Sequence, residues 1–212
     1  MIYCGSIQLE REVTGLAMKD SGEIYTELKR KCIHLLIALV PAMAAADFSN
    51  TSLFLMGGTL FYATAESLRF LGFSLPLISS VTASVSRKCK KDEYALGPVT
   101  LGLGALLSLL LFPPLTARAA IFALAFGDSA SLLVGRFFGR IRPSFLKGKS
   151  LEGILSCFAA SAIAGYMVFH DLKPALAVGA ASLIVDIFPI GDFDNILMPL
   201  ASGFAAMLFF AG

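Results

Sequence analysis

The residues best suited to chemistry lie in the segment 127–153. It begins inside an apolar run with Asp128, passes through a loop of glycines and arginines, and ends in Lys149, Ser150 and Glu152. Carboxylates hold Mg²⁺ together with phosphate oxygens. Glycines let a backbone approach phosphate closely, and basic side chains neutralise its charge. The segment therefore predicts a site for a phosphorylated ligand and its metal ion, and its apolar flanks place that site beside lipid.

A second group of polar residues follows an apolar run near the end of the chain. Asp186 lies in that run, and Asp194 and Asn195 stand just before the next one. Asp194 has two interpretations: a helix N-cap, which is a common use of aspartate, or a ligand for the metal ion or the nucleotide. In the second case Asp194 would add a carboxylate from a distant part of the chain.

Charged residues near the predicted helices need a physical reason because charge inside a membrane is costly. Arg30 and Lys31 precede the first apolar run and are either topology signals or phosphate ligands, while His34 lies on the face of Lys31. Glu66 and Arg69 are three residues apart and share a helical face. We expect them to form an internal ion pair or to orient the site.

The arginines of the loop have a simpler explanation that must be weighed. Arg136, Arg140 and Arg142 are suited to enforcing membrane topology and contacting anionic lipid heads. That explanation accounts for the charges, but it does not account for the glycines or for the Lys-Ser-x-Glu ending.

The elements that must position these residues are membrane helices. The hydrophobic fraction of 57% and the mean hydropathy of +0.78 exceed those of soluble domains. A spanning helix needs about 20 mostly apolar residues. The segments that meet or approach this length are 32–48, 52–70, 95–113, 116–135, 152–170, 173–189 and 193–211. The sequence thus predicts an all-α bundle of about seven transmembrane helices.

The rest of the chain divides around this bundle. Residues 1–31 are predicted to form a cytoplasmic amphipathic helix, and residues 32–212 the transmembrane catalytic domain. The segment 72–86 is short and polar, so it either lies in the interface, re-enters the membrane or extends a neighbouring helix.

The distribution of charge orients the bundle. With the N-terminus inside, 15 of the 17 lysines and arginines fall in cytoplasmic segments, and the exceptions are Arg118 and Lys173. We therefore expect a protein of the cytoplasmic membrane whose N-terminus and active site face the cytoplasm.

The same residues carry a resemblance to a known family. The chain resembles the CTP-dependent polyprenol kinase family, which includes dolichol kinase, phytol kinase and yeast-type diacylglycerol kinase. Its CTP-binding signature is DxxAxxxGxxxG, eight residues, then KKTxEG. The matching positions here are Asp128, Gly135, Gly139, Lys149, Ser150 (for Thr), Glu152 and Gly153. Two positions depart: Ser131 replaces the alanine and Gly148 replaces the first lysine, next to which Lys147 is available.

Three further motifs look like the same family and occur in the same order. They are ELKRKCIH at 27–34, the pair of Glu66 and Arg69, and FDNILMPL at 193–200. A similar central motif occurs in phosphatidate cytidylyltransferases. This chain lacks their PGHGG block, so a CDP-lipid-forming enzyme is the alternative within the enzymes. A membrane transporter is the alternative outside them, and no internal repeat supports it.

The resemblance implies a CTP-dependent lipid kinase that transfers the γ-phosphate of CTP to a lipid alcohol, without specifying the alcohol. It implies CTP, the lipid alcohol and membrane lipids as partners, with no nucleic acid. Asp128, Lys149 and Asp194 are the expected catalytic residues, and Asp128 and Asp194 the expected Mg²⁺ ligands. The expected nucleotide-binding residues are Arg30, Lys31, Gly135, Arg136, Gly139, Arg140, Lys147, Ser150, Glu152, Gly153 and Asn195. The supporting positions are His34, Glu66, Arg69 and Asp186.

Overall fold

The computed structural model describes residues 30–71, 94–143, 146 and 148–209. Within these ranges the chain is helical and contains no strand. The predicted all-α class is therefore confirmed. The predicted N-terminal amphipathic helix, the segment 72–86 and Lys147 lie outside the described residues.

The first half of the described chain begins in a helix. Residues 30–36, called the entry helix below, are helical and continue through a 3-10 turn, Ile37–Leu39. Helix α1, Val40–Ala46, follows and ends at Asp47. The Asp47 side chain accepts a hydrogen bond from the Asn50 backbone N–H and so caps helix α2, Phe48–Phe70.

The middle of the chain contains the longest helical stretch. Helix α3 is Gly97–Leu111, and helix α4 is Pro114–Phe122. A π-helical turn, Ala123–Gly127, joins α4 directly to helix α5, Asp128–Phe137. Asp128 is therefore the first residue after the π-helical turn.

Three helices complete the fold. Helix α6 is Leu151–Phe169 and helix α7 is Leu172–Ile187, and their N-caps are Ser150 and Asp171. Helix α8 is Asp194–Met207, preceded by a 3-10 turn, Gly191–Phe193. In the described part of the chain, α7 packs between α6 and α8, while α3 packs against α2 and α8.

Small residues allow α5 and α6 to cross closely. A Cβ atom added to Gly153 would lie 2.7 Å from the Ser131 carbonyl oxygen and 3.0 Å from the Cα of Gly135. One added to Gly139 would lie 2.1 Å from the Gly135 carbonyl oxygen. Close packing of α5 against α6 thus requires a glycine at 153, and the tight turn after α5 requires one at 139, where a Cβ atom would also lie 2.4 Å from Ser150 Oγ.

Each predicted apolar segment coincides with helix, but length and composition single out fewer spans than seven. Among the described residues, Pro114–Phe137 and Leu151–Phe169 are long and apolar enough to cross a membrane. Helix Gly97–Leu111 is apolar but shorter. Large apolar side chains are exposed on several other helices, including Phe54 at 70%. The predicted count of seven spans is not confirmed by these helices.

Candidate active site

One cavity of about 820 Å³ collects most of the residues predicted for the site. Its walls come from the entry helix, the start of α3, α5, the loop before α6, the end of α7 and the start of α8. The predicted residues that line it are Arg30, Lys31, His34, Asp128, Gly135, Arg136, Lys149, Ser150, Asp186, Asp194 and Asn195. Those described residues that do not line it are Glu66, Arg69, Gly139, Arg140, Glu152 and Gly153.

Asp128 is held from the entry helix. Its Oδ2 atom accepts a hydrogen bond from the Lys31 ammonium, and the His34 Nδ1 atom lies 3.0 Å from the same oxygen. The Lys31 and His34 side chains are 3% and 6% exposed, whereas that of Asp128 is 24% exposed. Lys31 and His34 thus hold the Asp128 carboxylate, and its open side faces the cavity.

Lys149 is held by the opposite wall. Its Nζ atom donates to Asp186 Oδ1 at 2.5 Å and to the Asp186 carbonyl oxygen at 2.7 Å. Ser131 donates to the other carboxylate oxygen, Oδ2, at 2.7 Å. The contact joins α5, the loop before α6 and the end of α7, so Asp186 contributes directly to the cavity wall.

The loop between α5 and α6 is closed by Glu152 and Arg142. Glu152 Oε1 accepts from the backbone N–H groups of Arg140 and Ile141 at 3.0 and 3.1 Å. Arg142 donates to the carbonyl oxygens of Gly148 and Gly135 at 3.1 and 3.2 Å. Glu152, which was expected to bind nucleotide, thus holds the loop backbone through its carboxylate.

Ser150 combines two structural contacts with a place in the cavity wall. Its hydroxyl oxygen accepts from the Gly153 backbone N–H at 3.1 Å, which caps α6. The start of a helix presents free N–H groups that suit an anion. Lys149 and Ser150 thus place this helix start at the cavity.

Asp194 and Asn195 begin α8 at the same cavity. Asp194 Oδ1 accepts from the Ile190 backbone N–H at 2.7 Å, so Asp194 stabilises the turn before the helix. Asn195 Nδ2 lies 3.3 Å from the Gly97 carbonyl oxygen and 3.0 Å from Thr100 Oγ1. The Asn195 amide group thus donates to α3 and links the start of α8 to it.

Glu66 and Arg69 form the ion pair that their spacing predicts. Arg69 Nε and Nη2 donate to Glu66 Oε2 and Oε1 at 2.9 and 2.6 Å. Glu66 Oε1 also accepts from the Ala95 backbone N–H at 2.9 Å, and Ala95 lines the cavity. Through Ala95, the pair holds in place the segment that leads into α3 and lines the cavity.

The described residues contain no group of three or more His, Cys, Asp or Glu side chains arranged to hold a metal ion. A nucleotide-bound Mg²⁺ needs only one or two protein carboxylates, because phosphate oxygens and water supply the remaining ligands. Asp128 and Asp194 line the same cavity. The donor set therefore fits a metal ion that arrives with phosphate.

Four lining residues with polar side chains were not among the predicted site positions: Tyr94, Ser131, Arg142 and Asp192. Ser131 carried a signal, since it departs from the family signature at one position. Arg142 and Asp192 lie close in sequence to predicted residues. Only the folded structure shows that these two charged residues line the cavity. Tyr94 carried no signal in the sequence.

Comparison with known proteins adds independent information. The chain is 29% identical over 236 residues to a probable phytol kinase 1, chloroplastic, of Oryza sativa subsp. japonica, covering 99% of this chain and 72% of that protein. It is 28% identical to a probable phytol kinase, chloroplastic, of Triticum aestivum, covering 99% and 76%. It is 27% identical to a CTP-dependent diacylglycerol kinase 1 of Eremothecium gossypii, covering 77% and 54%.

The chain is thus similar over nearly its whole length to proteins named as phytol kinases. The family resemblance predicted from the motifs is confirmed, and the relatives support a phosphotransferase that acts on a lipid alcohol. No family model matches the chain, and no solved structure matches it.

Proposed function

We propose that this lipid kinase transfers the γ-phosphate of CTP to the hydroxyl group of a membrane lipid alcohol of the polyprenol, dolichol or phytol type, or of diacylglycerol. The observation that carries the proposal is the single cavity that joins Lys149 and the start of α6 to the carboxylates Asp128 and Asp194. Phosphoryl transfer depends mainly on positioning and charge stabilisation, and these groups supply both.

In the proposed reaction the lipid oxygen bonds to the γ-phosphorus, and the bond from that phosphorus to the oxygen of the β-phosphate breaks. CDP and the lipid phosphate are the products. Lys149 and the cations of the entry helix neutralise the phosphate oxygens. Mg²⁺, held by Asp128 and Asp194, would supply further charge neutralisation when bound with the nucleotide.

The hydroxyl group gives up its proton during the attack, and Asp128 is suited both to accept that proton and to hold a metal ion. Asp128→Asn separates the two roles, because an amide oxygen still ligates a cation but takes up no proton. Lost turnover with unchanged Mg²⁺ dependence would indicate the proton acceptor. A raised Mg²⁺ requirement would indicate the ligand.

The lipid enters from the bilayer in this proposal. The two long apolar helices and the exposed side chains of the bundle fit a protein embedded in the cytoplasmic membrane. The distribution of basic residues supports a cytoplasmic position for the N-terminus and the cavity. Labelling of single-cysteine variants tests this orientation: a thiol at position 141 should react from the cytoplasmic side, and one at position 171 should not.

CTP labelled at the γ-phosphate tests the reaction. The purified protein in detergent is incubated with Mg²⁺, labelled CTP and a panel of lipid alcohols. A kinase moves the label into lipid and forms CDP. Label released as pyrophosphate with a CDP-lipid would instead establish a cytidylyltransferase. No turnover with any nucleotide and lipid would contradict the enzyme and leave transport to be tested.

A further inference from the structure

Asp186 is a buried carboxylate that lies between two donors from different parts of the chain. Its side chain is 2% exposed, and its Oδ1 and Oδ2 atoms accept from Lys149 and Ser131 respectively. A buried carboxylate is costly unless its oxygens are hydrogen-bonded. Each oxygen here has a donor, so the orientation of the carboxylate plane is fixed.

This arrangement also orients Lys149. An ammonium group carries three protons, and Asp186 accepts two of them through its side-chain and main-chain oxygens. The Lys149 side chain is 31% exposed and lines the cavity. The third proton is therefore the one that Lys149 has available for a ligand there.

Ser131 has little to offer such a ligand directly. Its single hydroxyl proton is given to Asp186, which leaves lone pairs that an anionic phosphate does not bind. Ser131 also stands where the family signature has alanine. Its hydroxyl is thus a feature of this chain, and its contact is with the carboxylate that holds Lys149.

We propose that Ser131 and Asp186 are positioning residues that direct the third Lys149 proton toward a phosphate group of the bound nucleotide. The proposal rests on the proposed function for the identity of that nucleotide. Without the Ser131 hydroxyl, the Asp186 carboxylate loses one of its hydrogen-bond donors, and its charge interacts with Lys149 alone. The Lys149 ammonium group then binds the phosphate group less well.

The test compares Ser131→Ala with Ser131→Thr, which keeps a hydroxyl, and with Ser131→Cys, which keeps the size but donates weakly. Ser129→Ala is the matched control, because Ser129 is a buried serine on the same helix whose hydroxyl has no hydrogen-bond partner among the described residues. Two quantities are measured: the KM for CTP, and the Kd of inorganic triphosphate with Mg²⁺ by titration calorimetry in detergent.

Ser131→Ala and Ser131→Cys should raise both constants roughly fivefold to tenfold, which is within the range of one ordinary hydrogen bond, because the hydroxyl acts on the phosphate only through Asp186 and Lys149. The kcat should stay within about twofold of the wild-type value, because Lys149 contacts the phosphate in the ground state as well as in the transition state. Ser131→Thr and Ser129→Ala should resemble the wild type. In a Lys149→Ala background, Ser131→Ala should cause no further change in the Kd of triphosphate.

Three results would overturn the proposal: unchanged constants in Ser131→Ala and Ser131→Cys, an equal effect in the Lys149→Ala background, or a wild type that does not bind triphosphate. The proposed function fails separately. If no lipid receives label from CTP, that function is wrong, while the triphosphate series still decides whether Ser131 acts through Lys149.

Discussion

Replacing Arg69 with methionine would remove the guanidinium that holds the Glu66 carboxylate through two hydrogen bonds. The Glu66 side chain is 0% exposed and that of Arg69 is 15% exposed. Removing one partner of a buried ion pair costs about 3–5 kcal/mol. Because Arg69 retains some contact with solvent, we expect the lower end, about 3 kcal/mol. For a chain of this size, this loss corresponds to a fall in Tm of about 6–12 °C.

The assay is thermal unfolding of the detergent-solubilised protein, followed by circular dichroism. The double variant Glu66→Gln/Arg69→Met should recover most of the lost stability, because it buries no charge and glutamine still accepts the Ala95 N–H. Lys173→Met removes an exposed cation and should change stability by less than about 0.5 kcal/mol. A Tm for Arg69→Met within 2 °C of the wild type would refute the reasoning, as would a double variant no more stable than the single one.

Three further outcomes follow from the same structure. Gly153→Ala should lower stability by about 1–3 kcal/mol because its Cβ would lie 2.7 Å from a carbonyl oxygen of α5, whereas Gly58→Ala, with open space around it, should be neutral or stabilising in the same unfolding assay. Asp128→Ala should lower turnover at least about a hundredfold, or about 2.7 kcal/mol of barrier, and should also lower Tm because the buried Lys31 ammonium loses a carboxylate partner; near-normal turnover would remove Asp128 from the reaction. Of the two described cysteines, the exposed Cys32 should react with a maleimide and the buried Cys157 only after unfolding, which mass spectrometry of the labelled peptides would check.

The sequence predicted the helices well because apolar runs and their boundaries are local properties. Asp47, Ser150 and Asp171 cap helices within a few residues of the predicted limits. The pair of Glu66 and Arg69 was also predictable, since three residues bring two side chains to one helical face. The number of membrane spans was harder to predict from the sequence. Short apolar helices such as Gly97–Leu111 have the composition of a membrane span but not its length.

The members of the site were largely predictable, and their mutual contacts were not. Motif spacing indicated Asp128 and Lys149, but nothing local states that Asp128 meets Lys31 or that Lys149 meets Asp186. The contact between Ser131 and Asp186 joins residues 55 positions apart. Such pairings depend on how helices pack. For the same reason the sequence did not show that Gly153 contacts α5, or that Gly139 contacts the end of α5 and Ser150.

The π-helical turn Ala123–Gly127 separates two parts of one long helix, α4 and α5, of which only α5 lines the cavity. Such turns are commonly found at functional sites. A π-helical turn is closed by i→i+5 hydrogen bonds, so it holds one more residue than an α-helical turn. Deleting one residue within Ala123–Gly127 should therefore restore a regular α-helix while Pro114–Phe122 and Asp128–Phe137 keep their packing. A relative that lacks a single residue in this turn is thus expected to keep the direction of the Asp128 carboxylate.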